Sequence, residues 1–353
     1  MLRMLRQKLL NPIMWELSLM NTKIDRLNSD VCNLLIEKTT CQNHNDTAQQ
    51  VNYIRNFEEL DDFIEKSIRG DYKGKSHIEF LREYVLDFDS FTNELGSKPP
   101  DCSPFINDYR LWEMTFFEFL SGKKYNVESE GVSEDWIKKY AYEKPPTINW
   151  STSEYVSRMK IYIEFLEICM PMADMHILEM GSGMGYLLEL FGRRGCHVTG
   201  IEISEAFAEY SRNLLQTQHI SNEIICCSYY EADNLNKQYD IVVFDASFHH
   251  CHDPMSVLKM LYAKVSDEGS VFFLNEPIHD NYDRPWGVVR YDGESLLQIR
   301  ALGWLEFGYR ADFFAELLCR AGFNFVSTHD MSNGSKLFVA RKKVTVADDN
   351  YQQ

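Results

Sequence analysis

Between residues 176 and 276 the chain carries acids, glycines and histidines in an order that points to chemistry. Glu179 precedes a turn containing Gly181, Gly183 and Gly185, in the run His176-Ile-Leu-Glu-Met-Gly-Ser-Gly-Met-Gly-Tyr-Leu-Leu-Glu-Leu-Phe191. Glycines placed there let a ligand approach the backbone where side chains would obstruct it. A dinucleotide-binding turn needs a further glycine at position 186, which is Tyr186 here, so the pattern reads E-x-G-x-G-x-G and suits a ligand without a pyrophosphate. Glu179 offers negative charge to an ammonium group, with a structural carboxylate as the alternative. About 20 residues further on, the apolar run ending at Glu202 and followed by Ile203 places an acid where it can accept hydrogen bonds from both hydroxyls of a ribose. His249, His250 and Glu276 follow later apolar runs, at the carboxyl ends where open α/β sheets hold their sites, and all three can exchange protons.

In order and spacing, residues 176–276 resemble a class I S-adenosylmethionine-dependent methyltransferase. The matching elements are Glu179 to Gly185, the acid Glu202, the pair Glu231-Ala232, Asp240, the segment His249-His250-Cys251-His252-Asp253-Pro254, and Glu276-Pro277. The resemblance implies an α/β, Rossmann-like sheet of seven strands with a reversed final hairpin. It implies S-adenosyl-L-methionine as cofactor, held by Glu179, Gly181, Gly183, Gly185, Glu202, Ile203, Glu231, Ala232 and Asp245. Two departures stand out: Glu231 replaces the commoner aspartate, and no Asn/Asp-Pro-Pro-Tyr amino-methylation motif follows the fourth strand, which argues against amide or base N-methylation.

Methyl transfer is an in-line displacement that requires a positioned acceptor, excluded water and, for a hydroxyl acceptor, a base. His249 and His250 are the candidate bases, with packing as their alternative role; Glu276 can orient or deprotonate an acceptor, or cap a loop. The histidine-rich stretch is not expected to bind a metal, because consecutive residues converge poorly on one ion. Residues 277–310 form an unusually long connection bearing Tyr282, Arg284, Trp286, Arg290, Tyr291, Trp304, Tyr309 and Arg310. One reading is an acceptor-binding lid, with Tyr282, Arg284, Trp286, Arg290, Tyr309 and Arg310 holding an aromatic and anionic acceptor. The other is a helical insertion whose aromatics are its own core. The run Gly303-Trp-Leu-Glu-Phe-Gly-Tyr-Arg310 resembles methyltransferases of surface-glycan biosynthesis, which implies O-methylation of a sugar, including one carrying a phosphate or nucleotide. A natural-product O-methyltransferase, a protein methyltransferase and a cofactor-binding scaffold without turnover are the alternatives.

These residues must be held by a scaffold. Short apolar runs at 176–180, 197–202, 223–227, 239–244 and 269–275 alternate with helical segments, the pattern of a parallel sheet covered on both faces. A helix at 311–321 and strands at 324–328 and 336–341 follow, the last two joined by Ser-Asn-Gly-Ser as a hairpin. The methyltransferase domain is thus expected over 150–341, with 277–310 as its insertion and 342–353 as a tail. Before it, residues 51–149 read as a helical region, and Trp150 and Tyr155 are available to pack near the cofactor. Residues 39–50 are too polar to bury and read as a linker. In residues 1–38 the series Leu10, Ile13, Leu17, Met20, Ile24, Leu27, Val31, Leu34 alternates spacings of three and four, predicting a coiled coil and hence a homo-oligomer.

With 353 residues, 44% of them hydrophobic, the chain can bury a sizeable core and exceeds what one core usually organises. Its formal charge of −17, from 36 basic and 53 acidic side chains, repels phosphate backbones, so nucleic acid is not an expected partner; a small-molecule or glycan acceptor is. Nine cysteines without a paired CxxC framework fit a reducing compartment. No run is apolar enough for a signal peptide or membrane span, and a cytoplasmic location is expected.

Overall fold

The computed structural model describes residues 51–72, 74–131 and 152–343, with the side chains of 152–155 excluded. The expected coiled coil, linker and boundary at residue 150 lie outside the described residues, as do Trp150 and the Tyr155 side chain. The chain divides into Met1–Val51 and Asn52–Gln353, and the architecture below belongs to the second unit.

The first part comprises β1 (Asn52–Ile54), α1 (Phe57–Arg69), α2 (His77–Leu81), β2 (Tyr84–Leu86), α3 (Phe88–Leu95), α4 (Asn107–Ser121) and a 3-10 turn, Val127–Glu130. Its helices start and stop on local signals: Asn56 caps α1 by accepting from the Glu59 N–H, and glycines in the left-handed region end α1, α3 and α4. Then come α5 (Thr152–Cys169), β3 (His176–Met180), α6 (Tyr186–Arg193), β4 (His197–Glu202), α7 (Glu205–Thr217), β5 (Asn222–Cys226), β6 (Tyr239–Asp245), α8 (Pro254–Lys264) and β7 (Val265–Leu274). The insertion holds β8 (Ile278–His279), β9 (Trp286–Gly287), α9 (Gly293–Leu297) and a π-helical turn, Gln298–Leu302; β10 (Gly308–Arg310), α10 (Ala311–Arg320), β11 (Phe323–Asp330) and β12 (Lys336–Lys342) complete the unit.

Seven strands form one sheet in the order β11-β12-β7-β6-β3-β4-β5. β7, β6, β3, β4 and β5 are parallel, whereas β12 pairs antiparallel with both β7 and β11. The expected mixed sheet with a reversed last hairpin is therefore present. Central strands are covered on both faces, so they read as near-continuous apolar runs. Alternation divides them: Leu178, Met180, Val242 and Phe244 enter one core, and Ile177, Ile241 and Val243 the other. β7 begins at Val265, earlier than the apolar run from 269 suggested, because the exposed residues Asp267 and Glu268 extend the strand beyond its buried half.

Residues 52–121 and the insertion share the first of these cores, including Phe63, Phe116, Trp286, Leu296 and Phe307. The Leu86 N–H donates to the Tyr291 carbonyl (2.8 Å), and the Tyr109 hydroxyl to the Trp286 carbonyl (3.1 Å). Arg284 is buried against Glu113, whose second oxygen accepts the Val288 N–H at 2.9 Å. Arg284 also lies over the rings of Phe88 and Trp112. The insertion is thus a folded layer with a small sheet of its own, β8-β10-β9, and its aromatics form a core.

Candidate active site

The chain runs from β3 outward through β4 to β5, then returns to the other side of β3 as β6. The carboxyl ends of β3 and β6 therefore flank the topological switch point, where open α/β sheets bind ligands. A cleft of about 290 Å³ opens there, lined by residues that include Glu179, Gly181, Gly183, Glu202, Ile203, Tyr229, Asp245, Ala246, His250 and Trp304.

The glycine turn links β3 to α6. Gly181, Gly183 and Gly185 have φ of +73°, +50° and +77°, a region costly for other residues. A Cβ on Gly181 would press on Ser247 Cβ at 2.7 Å, whereas one on Gly183 would meet no atom of the described residues within 4 Å. Glu202 fixes the turn: Oε2 accepts the Gly183 N–H (2.7 Å) and Oε1 the Ser204 N–H (2.8 Å). Burial raises its carboxyl above the usual range, opposed by those hydrogen bonds. Glu179 is also buried, and among the described residues its Oε2 has no hydrogen-bond partner. Burial, then the charges of Asp245 and Glu202, hold its carboxyl well above the usual range. Asp245 accepts from the Tyr162 hydroxyl (2.7 Å), Asn275 Nδ2 (2.6 Å) and Arg158 (3.3 Å). Ala246 and Asn275, just past β6 and β7, also have positive φ, a concentration of backbone strain around the cleft.

Glu231 and Ala232, expected beside them, are placed elsewhere. Glu231 forms a capping box with Ser228, and Ala232 is buried in the core. Ser228, Tyr229 and Tyr230 line the cleft instead. The spacing Ser228-x-x-Glu231 is itself the sequence signal for that cap.

The three acid–base candidates adopt distinct positions. Glu276 is a buried anchor: Oε1 accepts the N–H groups of Ser247 and Phe248 (both 2.7 Å), while Oε2 accepts the His249 N–H (3.1 Å) and bonds to His249 Nδ1 (2.8 Å). Burial raises its carboxyl to about 7 despite these donors. His249 is buried behind the cleft, with Nε2 3.7 Å from Glu306 Oε2; burial and the neighbouring His250 keep its pKa well below the ordinary value. His250 lines the cleft, with Nδ1 2.9 Å from Glu130 Oε2 and its ring edge-on to Trp304. Burial disfavours its charge, but the hydrogen bond and charge of Glu130, reinforced by Glu306 and Glu276, outweigh this and raise its pKa. Glu130 gave no local sequence signal.

His249, His250 and Glu306 bring one potential ligand atom each within 4.8 Å of one another. However, Glu306 Oε2, the oxygen facing His249, already holds Arg290, and Nδ1 of each ring is engaged by a carboxylate. Each of the three therefore has a protein partner: His249 is bonded to Glu276, His250 to Glu130, and Glu306 pairs with Arg290.

The insertion's arginines do not point at an anion site. Arg284 is buried on Glu113, Arg290 pairs with Glu306, and Arg310 with Asp312 at 2.8 Å. Trp286 and Tyr309 are buried core residues, and Tyr282 packs beside His279. None of these six lines the cleft, whereas Trp304 does. The expectation of arginines free to hold an anionic acceptor fails because each guanidinium is neutralised within the fold.

Residues 159–328 match a family model described as a methyltransferase domain. This segment is thus similar to methyltransferase domains. The methyltransferase domain is similar to a ubiquinone biosynthesis O-methyltransferase of Coxiella burnetii (strain RSA 331 / Henzerling II), 24% identical over 161 residues, 45% of this chain and 64% of that protein. It is 30% identical over 162 residues to the protein of that name from Pseudomonas savastanoi pv. phaseolicola, covering 46% of this chain and 61% of the relative. The chain thus spans less than two thirds of the length of these curated relatives. A solved magnesium protoporphyrin IX methyltransferase of Synechocystis PCC 6803 aligns at 11% identity and a TM-score of 0.44, over 62% of this chain and 98% of that one.

The cleft fits S-adenosyl-L-methionine, the cofactor that the resemblance implies. The orphaned, buried Glu179 Oε2 suits an ammonium group, the space above Gly183 admits a ligand against the backbone, and the acids Glu179, Glu202 and Asp245 suit a cationic ligand. Among the described residues, no helix is long and apolar enough to cross a membrane.

Proposed function

We propose that the chain transfers the methyl group of S-adenosylmethionine to a hydroxyl oxygen of a small, uncharged, aromatic acceptor, with His250 receiving the hydroxyl proton. The observation that carries this reading is that one cleft is lined by Glu179, Gly183 and Glu202 together with His250 and Trp304. When bound, the cofactor supplies an electrophilic methyl group on a cationic sulfur. Glu202 and the glycine turn orient it; Glu276, by holding the backbone of 247–249, keeps His250 at the mouth of the same cleft.

The choice of acceptor follows from the lining. Trp304, Tyr229, Tyr230 and Met184 give an aromatic, polarisable wall. Glu130, Glu179, Glu202 and Asp245 outnumber Arg158 in the cleft, so an anionic acceptor is repelled. A sugar phosphate loses the support it drew from the arginines, since these are paired elsewhere. A phenolic hydroxyl, with a pKa of about 10, is within reach of a histidine base, which an aliphatic alcohol is not to the same degree. The relatives' names, O-methyltransferases of ubiquinone biosynthesis, agree with methylation on oxygen.

The test is turnover of S-adenosylmethionine by the full chain with catechol, other simple phenols, glucose and glucose 6-phosphate, read as S-adenosylhomocysteine and methylated product by mass spectrometry. Turnover on a phenol, lowered about 10²–10⁴-fold in His250→Gln, is expected. Turnover confined to the phosphorylated sugar, or a His250→Gln variant of unchanged rate, overturns the reading.

A further inference from the structure

We propose that Glu130, supplied from outside the methyltransferase domain, is the positioning residue for His250, so that the turn Val127–Glu130 completes the acceptor end of the site. The inference rests on the reading of His250 as the proton acceptor, and adds to it the part of the chain that makes the base competent.

Glu130 precedes the family-matched segment by 29 residues and its partner by 120. It is nonetheless built into the site. The Asn126 side chain caps its turn, accepting from the Glu128 N–H at 3.2 Å. The Ser129 hydroxyl, which donates to the Asn126 carbonyl at 2.6 Å, also lies 3.3 Å from the Gly303 carbonyl in the insertion. Glu130 then divides its carboxylate: Oε1 accepts the Leu305 N–H at 3.0 Å, and Oε2 faces His250 Nδ1 at 2.9 Å. Its side chain is 9% exposed and that of His250 20%. Gly131, the next residue, lies against the backbone of Ile203 and Ser204, at the Glu202 end of the cleft. The turn and the glycine after it therefore touch the base, the insertion and the residues just past β4.

The chemistry of the pair follows from its donors. A carboxylate only accepts, so the proton shared with Glu130 sits on His250 Nδ1 and leaves Nε2 as the ring's acceptor. The same contact locks the ring and stabilises the imidazolium formed when Nε2 takes up a proton. The surrounding groups are Glu130 on the 3-10 turn, His249 on the preceding residue, Glu276 after β7, Glu306 in the insertion with Arg290 on it, and Glu202 at the end of β4. Four of these are acids, but among the described residues only Glu130 bonds to the His250 ring. This also gives the helical region a role in the site: it carries the carboxylate hydrogen-bonded to the base.

The deciding measurement, a ring titration, needs neither acceptor nor cofactor. The full chain is labelled with ¹⁵N-histidine, the His250 ring signals are assigned by their loss in His250→Gln, and the ring is titrated by long-range ¹H–¹⁵N correlation in wild type, Glu130→Gln and Glu130→Asp. In wild type the neutral ring is expected to carry its proton on Nδ1 and to titrate above an ordinary histidine. Glu130→Gln should lower the midpoint by about one unit or more, the effect of removing a nearby opposite charge, and populate the Nε2–H tautomer; Glu130→Asp should fall between. The acid limb of kcat/KM with catechol should move to lower pH in step, with a lower plateau. A midpoint and tautomer unchanged in Glu130→Gln overturn the proposal. If Glu130→Gln fails to fold, the same comparison in Glu130→Asp decides. Turnover that survives in His250→Gln would defeat the base assignment while leaving the ring titration to judge the pairing.

Discussion

Replacing Glu202 with alanine isolates the contact proposed to hold the ribose of the cofactor. The carboxylate is buried and holds two backbone donors, the Gly183 and Ser204 N–H groups, at 2.7 and 2.8 Å. Glu202 also lines the cleft, and the proposed reading sets the ribose hydroxyls on it. A hydrogen bond to a charged group contributes about 1.5–3 kcal/mol, so losing the ribose contact should weaken S-adenosylhomocysteine binding about 10- to 150-fold. The apo fold should suffer less, because burial already disfavours the Glu202 charge and the freed Gly183 N–H borders an open cleft that water can enter. Isothermal titration of the full chain, paired with thermal unfolding of the apo protein, separates the effects. A dissociation constant within threefold of wild type would remove Glu202 from the ribose role; a lost affinity matched by a collapsed melting temperature would make it a fold residue only.

Three further outcomes follow from the same geometry. Gly183→Ala should cost the fold about 1–2 kcal/mol for a non-glycine residue at φ +50°, yet weaken cofactor binding tenfold or more, about 1.4 kcal/mol, since its Cβ enters space that no atom of the described residues fills; calorimetry and urea unfolding read the two. Trp304→Ala should raise the KM for a phenolic acceptor about 2- to 12-fold, the worth of an aromatic contact of about 0.5–1.5 kcal/mol, with the cofactor dissociation constant unchanged. Arg284→Met should destabilise the protein by about 3–5 kcal/mol in urea unfolding, because it strands the buried Glu113, whereas Arg310→Ala, which breaks a partly exposed pair, should cost less than about 1 kcal/mol. Burial holds the Glu113 carboxyl at about 7, above its ordinary 4.5. A group raised in this way favours the fold when protonated and loses that contribution as pH rises toward 7, so the Arg284→Met deficit should be larger at pH 8 than at pH 6.

The sheet and the cofactor turn were legible because both are local. β3, β4 and β6 are buried runs that no other element explains, and Gly181, Gly183 and Gly185 announce a backbone that a ligand must approach. Glu202 was legible by its distance from that turn. The acceptor end was not, because its contacts are long-range. Glu130 sits in Asn-Val-Glu-Ser-Glu-Gly, which looks like a solvated surface stretch, and meets His250 only through the packing of the insertion. Arg284 read as an acceptor ligand because Glu113, 171 positions away, gives no sign of pairing with it. Arg310 differs: Asp312 lies two residues on, and that pairing was open to local inspection. The Ser228-x-x-Glu231 cap was likewise readable, and it explains why the residues facing the cleft precede Glu231. Aromatic density in the insertion carried both readings, lid and core, and the shared core with residues 52–121 favours the second for Trp286 and Tyr309 while leaving Trp304 on the cleft.

The most direct measurement of the central claim is a crystal structure of the full chain with S-adenosylhomocysteine. The account predicts the amino-acid tail at the Gly181–Gly185 turn with its ammonium on Glu179, the ribose hydroxyls on Glu202, and the sulfur turned toward His250 and Trp304 with room for one hydroxyl acceptor between. A ligand bound outside this cleft, or one whose sulfur faces away from His250, would contradict it.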